Sequence, residues 1–401
     1  MENTIKKQTD TLFDWAFKSG DAALAEKLTI SGFMTDDDFR YIRDNMAQTL
    51  KELDMGGASV EGNELKAGAL CDCAGLVSVT IPASLTAINN LAFACCFGMQ
   101  SINAPANNPC FTSEDGILFD SRKTRLICFP RGRQGDYVIP ASVVAIGSRA
   151  FSGCAGLTAV IIPASVVEIG EYAFEKCSNL MSVTIPHSVV KIAYYAFRDC
   201  AGLTAINIPN SVIEIESGAF SGCKGLTEVF IPASVRKFDA MGFPVHIHFT
   251  LHPDNPSYII EDGVLFNREM TKILFCHRNR QGGYAIPRSV VEIGEFAFYC
   301  CAGLTAITIP DTVTKIEILA FCDCNGLTSV TIPASVAEIE FRAFAYCEGL
   351  TAVFIPASLT KISEQAFEGS PARIDVHPDN PVYASEDGVL VEKSNSDLCA
   401  K

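Results

Sequence analysis

The chain has 401 residues, of which 48% are hydrophobic and 19% charged, and its mean hydropathy is +0.23. This composition is typical of a chain that folds around a core, and it excludes a mostly disordered protein. With 31 Lys and Arg against 46 Asp and Glu, the net charge is −15. That sign disfavours nucleic acids and anionic membrane surfaces as partners, because both are negatively charged. The sequence has no run of 18 apolar residues, so no membrane insertion is predicted.

Residues 1–52 are predicted to form an N-terminal helical cap. KLTISG (27–32) has the composition of a strand, and TDDDFRYIRDNM (35–46) predicts a helix with three acids at its positive end. The chain start lacks the apolar stretch and cleavage site of a signal peptide, which makes a cytoplasmic location the alternative to export. A further amphipathic helix is predicted from Leu12, Phe13, Trp15, Ala16 and Phe17.

Residues 53–401 contain a repeat of 23 residues. The dipeptide Ile-Pro occurs ten times, and seven of the nine intervals between its prolines are 23 residues, the other two being 58 and 55. Repeats of this length are typical of solenoids, in which each coil covers the apolar face of its neighbour. A phenylalanine follows each of these prolines eleven residues later: Phe93, Phe151, Phe174, Phe197, Phe220, Phe243, Phe298, Phe321, Phe344 and Phe367.

The unit LTAVIIPASVVEIGEYAFEKCSN, which starts at Leu157, predicts how one coil is built. Leu157, Val160 and Ile162 have the spacing of inward side chains on a short strand, which Pro163 ends because it cannot donate to a ladder. Phe174 is expected to fill the wide convex side. The sequence therefore predicts an α/β repeat solenoid of about fifteen coils, a right-handed superhelix with a parallel concave β-sheet and short helical turns on the convex side.

A hydroxyl side chain stands two residues after each repeat proline. Because a hydroxyl group both donates and accepts hydrogen bonds, we predict a ladder in which these residues bond the backbone of the adjacent coil. No histidine recurs beside them, so they are interpreted as structural residues and not as nucleophiles. They are Ser84, Ser142, Ser165, Ser188, Ser211, Ser234, Ser289, Thr312, Ser335 and Ser358.

Three enlarged repeats, near residues 105–136, 252–283 and 377–401, share a pattern. Their sequences are NNPCFTSEDGILFDSRKTRLICFP, DNPSYIIEDGVLFNREMTKILFCH and DNPVYASEDGVLVEKSNSDLCAK. Each has an Asn-Pro turn and an Asp-Gly turn beside short apolar runs, which indicates a β-hairpin. We therefore predict three hairpin inserts in a solenoid that extends over residues 53–401.

The 17 cysteines are expected to be free thiols. A small buried position in each coil suits cysteine as a compact hydrophobe, and a ladder of them has no unique pairing. The pair Cys71/Cys73 lacks the second matching pair that zinc needs, and no cofactor is predicted. A metal site at His246, His248 and His252 beside Cys276-His277 is an alternative, since histidines two apart on a strand share a face. The cysteines in repeat phase are Cys73, Cys96, Cys154, Cys177, Cys200, Cys223, Cys301, Cys324 and Cys347.

The phrase GLTAVIIPASVVEIGEYAFEKC and the inserts SEDGILF and EDGVLFN resemble the BspA-like leucine-rich-repeat proteins over about residues 50–401. The Ile-Pro-x-Ser-Val and Ala-Phe-x-x-Cys motifs carry the resemblance. It implies a non-enzymatic binder on the cell surface or secreted, in some members an adhesin for host matrix proteins or other bacteria. It supplies no catalytic residues, and no GxSxG, P-loop or HExxH motif occurs.

The outward positions of the concave sheet are the candidate binding face. They are small, nearly uncharged and rich in threonine, so a few large apolar side chains among them would mark a contact surface. A flat, neutral face suits a protein or a glycan better than a charged small molecule. The candidate binding residues are Phe230, Phe354, Ile161, Met181 and Asn207.

The favoured function is a monomeric adhesin-like protein of the cell surface or exterior, whose partner is a host matrix or bacterial surface protein. An intracellular scaffold that binds a protein through the same sheet is the alternative. A glycan-binding or hydrolytic surface protein is a more distant one.

Overall fold

Each repeat folds as a coil with two short strands, one on either side of its proline. The structure is a computed structural model that describes residues 2–6 and 25–393. In the coil that starts at Leu157, the strands are Leu157–Ile161 and Glu168–Ile169. Strands before the proline pair in parallel with those of the next coil and form what we call the first ladder. Strands after the proline form the second ladder in the same way, and the result is a parallel-strand solenoid of about 15 turns.

The chain divides into two compact units, Met1–Thr227 with Lys237–Pro244, and Glu228–Arg236 with Val245–Lys401. In the first unit, the first ladder consists of Glu2–Lys6, Lys27–Met34, Glu52–Val60, Ser78–Thr80, Ser101–Asn103, Gly135–Val138, Leu157–Ile161, Ser182–Thr184 and Ala205–Asn207. Its second ladder consists of Glu64–Leu65, Ala87–Ile88, Arg125–Cys128, Ala145–Ile146, Glu168–Ile169, Lys191–Ile192, Glu214–Ile215 and Lys237–Phe238.

The second unit repeats this arrangement. Its first ladder consists of Glu228–Ile231, His248–Leu251, Gly282–Ala285, Leu304–Thr308, Ser329–Thr331, Ala352–Ile355 and Arg373–Val376. Its second ladder consists of Lys272–Cys276, Glu292–Ile293, Lys315–Ile316, Glu338–Ile339 and Lys361–Ile362.

The predicted helical turns on the convex side are wrong. In the coil that starts at Leu157, the segment after the second strand contains Tyr172 at φ 56° and Lys176 at φ 60°. An α-helix needs negative φ at every residue, so two left-handed residues per coil make this segment a series of tight turns. Very little helix is therefore present, and the right-handed superhelix stays a prediction.

The described part of residues 1–52 is not a purely helical cap. The predicted strand exists as Lys27–Met34, and with Glu52–Val60 it extends the first ladder beside Ser78–Thr80. The predicted helix, α1, runs over Asp36–Met46, and the Asp38 carboxylate accepts the backbone N–H of Thr35 at 2.8 Å. The helix predicted around residues 12–17 lies outside the described residues, and the domain boundary at residue 52 stays a prediction. Two 3₁₀ turns complete the helical content of the described residues, Glu61–Asn63 and Ala240–Gly242.

The repeat phenylalanines form the core of the solenoid, as predicted. Phe197 is fully buried, and its ring lies parallel to those of Phe174 at 5.1 Å and Phe220 at 5.4 Å. Similar stacking runs from Phe298 to Phe344 in the second unit. Within each unit, stacked rings therefore continue the core from coil to coil, from Phe151 to Phe243 and from Phe298 to Phe367.

The phased cysteines are buried, as predicted, and none of the described cysteines forms a disulfide bond. Their positions also explain why cysteine suits this place better than alanine. Six of the nine thiols point at the carbonyl of a core phenylalanine in the preceding coil, for example Cys223 Sγ to Phe197 O at 3.0 Å. Cys96 and Cys301 point at the carbonyls of Leu70 and Cys276 instead. Burial raises the pKa of Cys73 to about 12 and that of Cys347 to about 11, so these thiols stay protonated donors at neutral pH.

The three inserts are β-hairpins closed by the predicted Asp-Gly turns. Both turn residues have positive φ, as at Asp115 (49°) and Gly116 (72°), which is the conformation of a type I′ hairpin. The hairpin strands are Phe111–Glu114 with Ile117–Asp120, Tyr258–Glu261 with Val264–Asn267, and Tyr383–Glu386 with Val389–Glu392.

The serine ladder exists at five of its ten positions, Ser165, Ser188, Ser211, Thr312 and Ser358. The exposed Ser84, Ser142 and Ser289 make no such bond among the described residues, so the prediction is wrong there. Ser165 Oγ donates to Val143 O at 2.7 Å, and Ser211 and Thr312 make the same bond to the preceding coil. The hydroxyl groups of Ser234 and Ser335 are buried without a hydrogen-bond partner among the described residues. The predicted bond is therefore wrong at these two coils, where the hydroxyl and the neighbouring carbonyl are not brought together.

An asparagine takes the place of this serine where an insert begins. Asn255 Nδ2 donates to Pro232 O at 2.9 Å and Val235 O at 3.2 Å, and its Oδ1 accepts the N–H groups of Ser257 and Tyr258. Asn108 and Asn380 make the corresponding four bonds in the other inserts. These amides therefore hold each insert to the coil before it.

Candidate functional site

The candidate site is the set of outward side chains on the first ladder, which we call the first-ladder face. Alternation along each strand turns Val229 and Val353 into the core and leaves Phe230 and Phe354 outside, 47% and 41% exposed. Ile161 and Met181 are 61% and 59% exposed in the first unit. Asn207 is also exposed. The structure thus places all five candidate residues outward, with Ile161, Met181 and Asn207 in one unit and the two phenylalanines in the other.

Phe230 and Phe354 occupy two copies of one local arrangement. The ring of His252 stands edge-on to Phe230 with 6.3 Å between centroids, and His377 stands in the same way against Phe354 at 6.3 Å. Both histidines begin a His-Pro-Asp-Asn-Pro segment, and each Nδ1 accepts the backbone N–H of the aspartate two residues later at 3.2 Å. Each exposed phenylalanine is therefore braced by a neighbouring ring where an insert begins.

Three of the threonines around these apolar groups are bonded within the protein. Thr351 Oγ1 donates to Thr328 O at 3.0 Å, and Thr328 Oγ1 donates to Thr305 O at 3.3 Å. In the first unit, Thr158 Oγ1 donates to the Asp136 carboxylate at 2.6 Å. Hydroxyl groups that are already satisfied contribute little to binding a ligand, so the large apolar side chains are the main features that a partner could recognise.

Charged side chains concentrate on the second ladder. Arg125 pairs with Glu168 at 2.8 Å, Lys237 with Glu214 at 2.8 Å, and Lys315 with Glu340 at 2.7 Å. The first ladder also carries charged pairs, Lys27 with Glu52 and Arg373 with Asp375, but no charged residue stands on Leu157–Ile161, Ser182–Thr184, Ala205–Asn207, Leu304–Thr308, Ser329–Thr331 or Ala352–Ile355.

The alternative of a histidine metal site is not supported. The rings of His248 and His277 lie 5.8 Å apart, but His277 Nε2 contacts His246 O at 3.1 Å and His277 Nδ1 accepts the N–H of Asn279. Both nitrogens of His277 are thus engaged by the backbone, while His252 lies beside Phe230. Within residues 2–6 and 25–393, no group of three or more His, Cys, Asp or Glu side chains is arranged to hold a metal ion.

Sequence reasoning missed two apolar residues of the face. Val138 pairs with Ile161 across the ladder and is 61% exposed, and Phe33 on the strand Lys27–Met34 is 52% exposed. The Ile-Pro register could have revealed Val138, since it stands two residues before Pro140. Phe33 could not be assigned to this face because residues 1–52 were predicted to form the N-terminal cap. On the opposite side of the proline, a second exposed row consists of Val144, Val167, Val190 and Ile213.

Comparison with known protein families shows to which family the chain belongs. Residues 58–132, 127–246 and 270–377 match the BspA type leucine rich repeat region, in six copies. The chain belongs to the BspA-type leucine-rich-repeat family. No curated protein matches it. The match indicates no catalytic family, and proteins of this class are scaffolds that typically bind proteins.

Two solved structures are similar to this chain, and the first of them agrees with its fold. A leucine rich cell surface protein from Faecalibacterium prausnitzii A2-165 has 26% sequence identity and a TM-score of 0.53, over 82% of this chain and 83% of that one. A leucine-rich repeat protein from Bacteroides ovatus ATCC 8483 has 21% identity and a TM-score of 0.42, over 80% of each chain. None of the helices in the described residues is long and apolar enough to cross a membrane.

Proposed function

We propose that this BspA-type protein is a non-enzymatic scaffold of the cell surface or exterior, adhesin-like, that binds a protein partner through its first-ladder face. The observation that carries the proposal is the exposure of Phe230, Phe354, Ile161 and Met181 on first-ladder strands whose other outward side chains are mostly small and polar. Aromatic side chains dominate the energy of protein contacts, and exposed apolar patches mark such contacts. The similar Faecalibacterium protein, described as a cell surface protein, supports the location.

The face is tested by replacing both phenylalanines with threonine, the residue that stands at the same position in Thr184, Thr308 and Thr331. The partner is first selected from a panel of purified host matrix and bacterial surface proteins by surface plasmon resonance. We expect Phe230→Thr/Phe354→Thr to raise its Kd at least ten-fold and to leave the circular dichroism and the melting temperature unchanged, because the rings lie outside the core.

The matched control is Val167→Thr/Ile213→Thr, which removes two similarly exposed apolar side chains from the other side of the proline. Its Kd should equal that of the unmodified protein. Equal affinity of all three proteins, or a loss only in the control, would place the contact away from the first-ladder face.

Surface location predicts that the protein is accessible on intact cells. Protease added to cells of the source organism should remove it while a cytoplasmic marker protein survives, with an antibody against this chain as the detector. If the protein were cleaved only after lysis, the intracellular scaffold would replace the surface protein as the function.

A further inference from the structure

The second ladder of the first unit carries an exposed row of apolar side chains, which we call the apolar row. Val144, Val167, Val190 and Ile213 stand four residues after the repeat prolines of four consecutive coils, and they are between 41% and 53% exposed. Backbone bonds join neighbouring members, Val167 N–H to Val144 O at 2.9 Å and Ile213 N–H to Val190 O at 2.8 Å. Because parallel strands lie about 4.8 Å apart, the row is a strip about 14 Å long.

The fold does not require apolar side chains at this position. In the second unit the residues four places after the proline are Val291, Thr314, Ala337 and Thr360. Threonine forms strands as well as valine does, so it fills the same place without exposing a larger apolar group. The apolar row of the first unit is therefore an exposed patch that the coil itself does not need, and such patches mark contact surfaces.

A row of alternating charge runs beside the apolar row, at the next residue of each coil. Its members are Ala145, Glu168, Lys191, Glu214 and Lys237. Glu168 pairs with Arg125 at 2.8 Å and Lys191 with Glu216 at 2.5 Å, yet the side chains of Glu168 and Lys191 remain 53% and 48% exposed. Both can therefore meet a further charge from outside the chain.

Two copies of this surface fit each other about a two-fold axis. An axis parallel to the strands, placed between the coils of Val167 and Val190, reverses the order of the coils and keeps each row against its own copy. Val167 then faces the partner's Val190, and Val144 faces the partner's Ile213. In the charged row, Glu168 faces the partner's Lys191. The surface is thus self-complementary in shape of pattern and in charge.

The alternation of charge selects this register. Moving the axis by half a coil to the coil of Val190 would set Lys191 against the partner's Lys191, and like charges across an interface are repulsive. Moving it by a whole coil toward Ile213 would set Val167 against the partner's Arg236. In the favoured register the outermost contact is Lys237 with the partner's Arg125, and each of these cations is paired with a glutamate of its own chain.

Residues 7–24, which the structure does not describe, are too short to cover the whole row. They are held at both ends in the first coils, where Lys6 pairs with Ser31. A segment of that length fixed at both ends extends at most about 30 Å. Ile213 lies seven coils beyond the strand Lys27–Met34, which corresponds to about 34 Å.

We propose that this protein forms a two-fold symmetric dimer through the apolar row and the charged row of its first unit, with a second copy of the chain as the occupant. This differs from the monomer expected from the sequence. A stable interface buries about 1,000 Å² or more in total, which four half-exposed side chains supply only together with the charged row. The dimer is therefore a weak one, and it uses the second ladder and not the first-ladder face.

Sedimentation velocity of the full chain measures the association. The unmodified protein should pass from monomer to dimer between about 1 and 100 µM, the range of a small interface. Val167→Thr/Ile213→Thr should raise the dimer Kd at least ten-fold, because apolar anchors are lost from both halves of the contact. Its melting temperature should not change, since the second unit carries Thr314 and Thr360 at this position.

Charge reversal tests the register. Glu168→Lys and Lys191→Glu each set like charges at the centre of the contact, so each variant alone should be monomeric where the unmodified protein is dimeric. An equimolar mixture of the two variants should regain the dimer, because every central charge then meets its opposite in the other chain. Glu338→Lys, at the same position of a coil in the second unit, is the matched control and should dimerise normally.

Four results would overturn the dimer. They are a protein that stays monomeric at about 100 µM, charge variants that both stay dimeric, a mixture of folded charge variants that stays monomeric, and association only in a variant that ends at Lys393. The last would show that residues 394–401 occupy the row. Phe230→Thr/Phe354→Thr should dimerise unchanged, and Val167→Thr/Ile213→Thr should keep its affinity for the partner of the first-ladder face, so each proposal can fail without the other.

Discussion

Phe197→Ala is expected to lower the free energy of unfolding by about 3–5 kcal/mol, the usual cost of removing a buried phenylalanine ring. The ring is fully buried between those of Phe174 and Phe220, and Cys223 bonds its carbonyl. The neighbouring rings are fixed by their own coils, so they cannot close the cavity. Urea denaturation followed by circular dichroism measures the loss.

The loss should be local. Each coil contacts only its neighbours, so the variant should populate a state in which the coils around residue 197 are open while distant ones stay folded. Hydrogen exchange distinguishes local opening from global unfolding. We expect faster amide exchange near Phe174 and Phe220 and unchanged exchange near Phe321. Phe97→Ala, at an exposed phenylalanine, is the control and should cost less than about 0.5 kcal/mol. A Phe197→Ala variant that unfolds at the urea concentration of the unmodified protein would contradict the assignment of this ring to the core.

The first ladder and the core could be predicted because their signals are periodic. Ten Ile-Pro dipeptides fix the end of ten of the sixteen first-ladder strands, and alternation from that point correctly turned Phe230 and Phe354 outward. The hairpins were predictable because an Asp-Gly pair tolerates the positive φ angles that a type I′ turn demands. The sequence also identified the family, since the Ile-Pro motif recurs in ten coils.

The second ladder could not be predicted in the same way. Its strands are only two residues long, as in Glu168–Ile169, which is too short for any alternation to show. The turns after it place bulky residues such as Tyr172 and Lys176 at positive φ, where glycine would be the recognisable signal. Their cost is offset by stacking of identical turns, a property of neighbouring coils that no single repeat reveals.

The sequence predicted which side chains of the candidate site point outward, but it did not predict the residues that contact them. The outward direction of Phe230 follows from its strand, whereas the His252 ring beside it comes from the following coil, at the first residue of an insert. A repeat register ends at such a boundary, so the contact could not be inferred. For the same reason, the three asparagines could not be predicted from the repeat. They take the structural place of the ladder serine, but they do not stand two residues after an Ile-Pro proline.

Asn255→Ala is expected to destabilise the protein by at least about 3 kcal/mol, which is large for the loss of a single polar side chain. The amide is 1% exposed and satisfies four backbone groups, the carbonyls of Pro232 and Val235 and the N–H groups of Ser257 and Tyr258. Each buried group left without a partner costs about 1–3 kcal/mol. Urea denaturation measures the effect, and Asn207→Ala, at an exposed asparagine, should change stability by less than about 0.5 kcal/mol.

Asn255→Asp separates the two halves of this hydrogen-bond set. The carboxylate would keep the acceptor for the N–H groups but would place negative charge against the two carbonyls, so its pKa in the folded state should lie above its value in the unfolded chain. A carboxyl group with a raised folded pKa favours folding at low pH, and that stability is lost as the pH rises through the folded pKa. Asn255→Asp should therefore be less stable than the unmodified protein at neutral pH and approach it as the pH falls. A stability difference that stays constant with pH would show that the side chain does not face the carbonyls of the preceding coil.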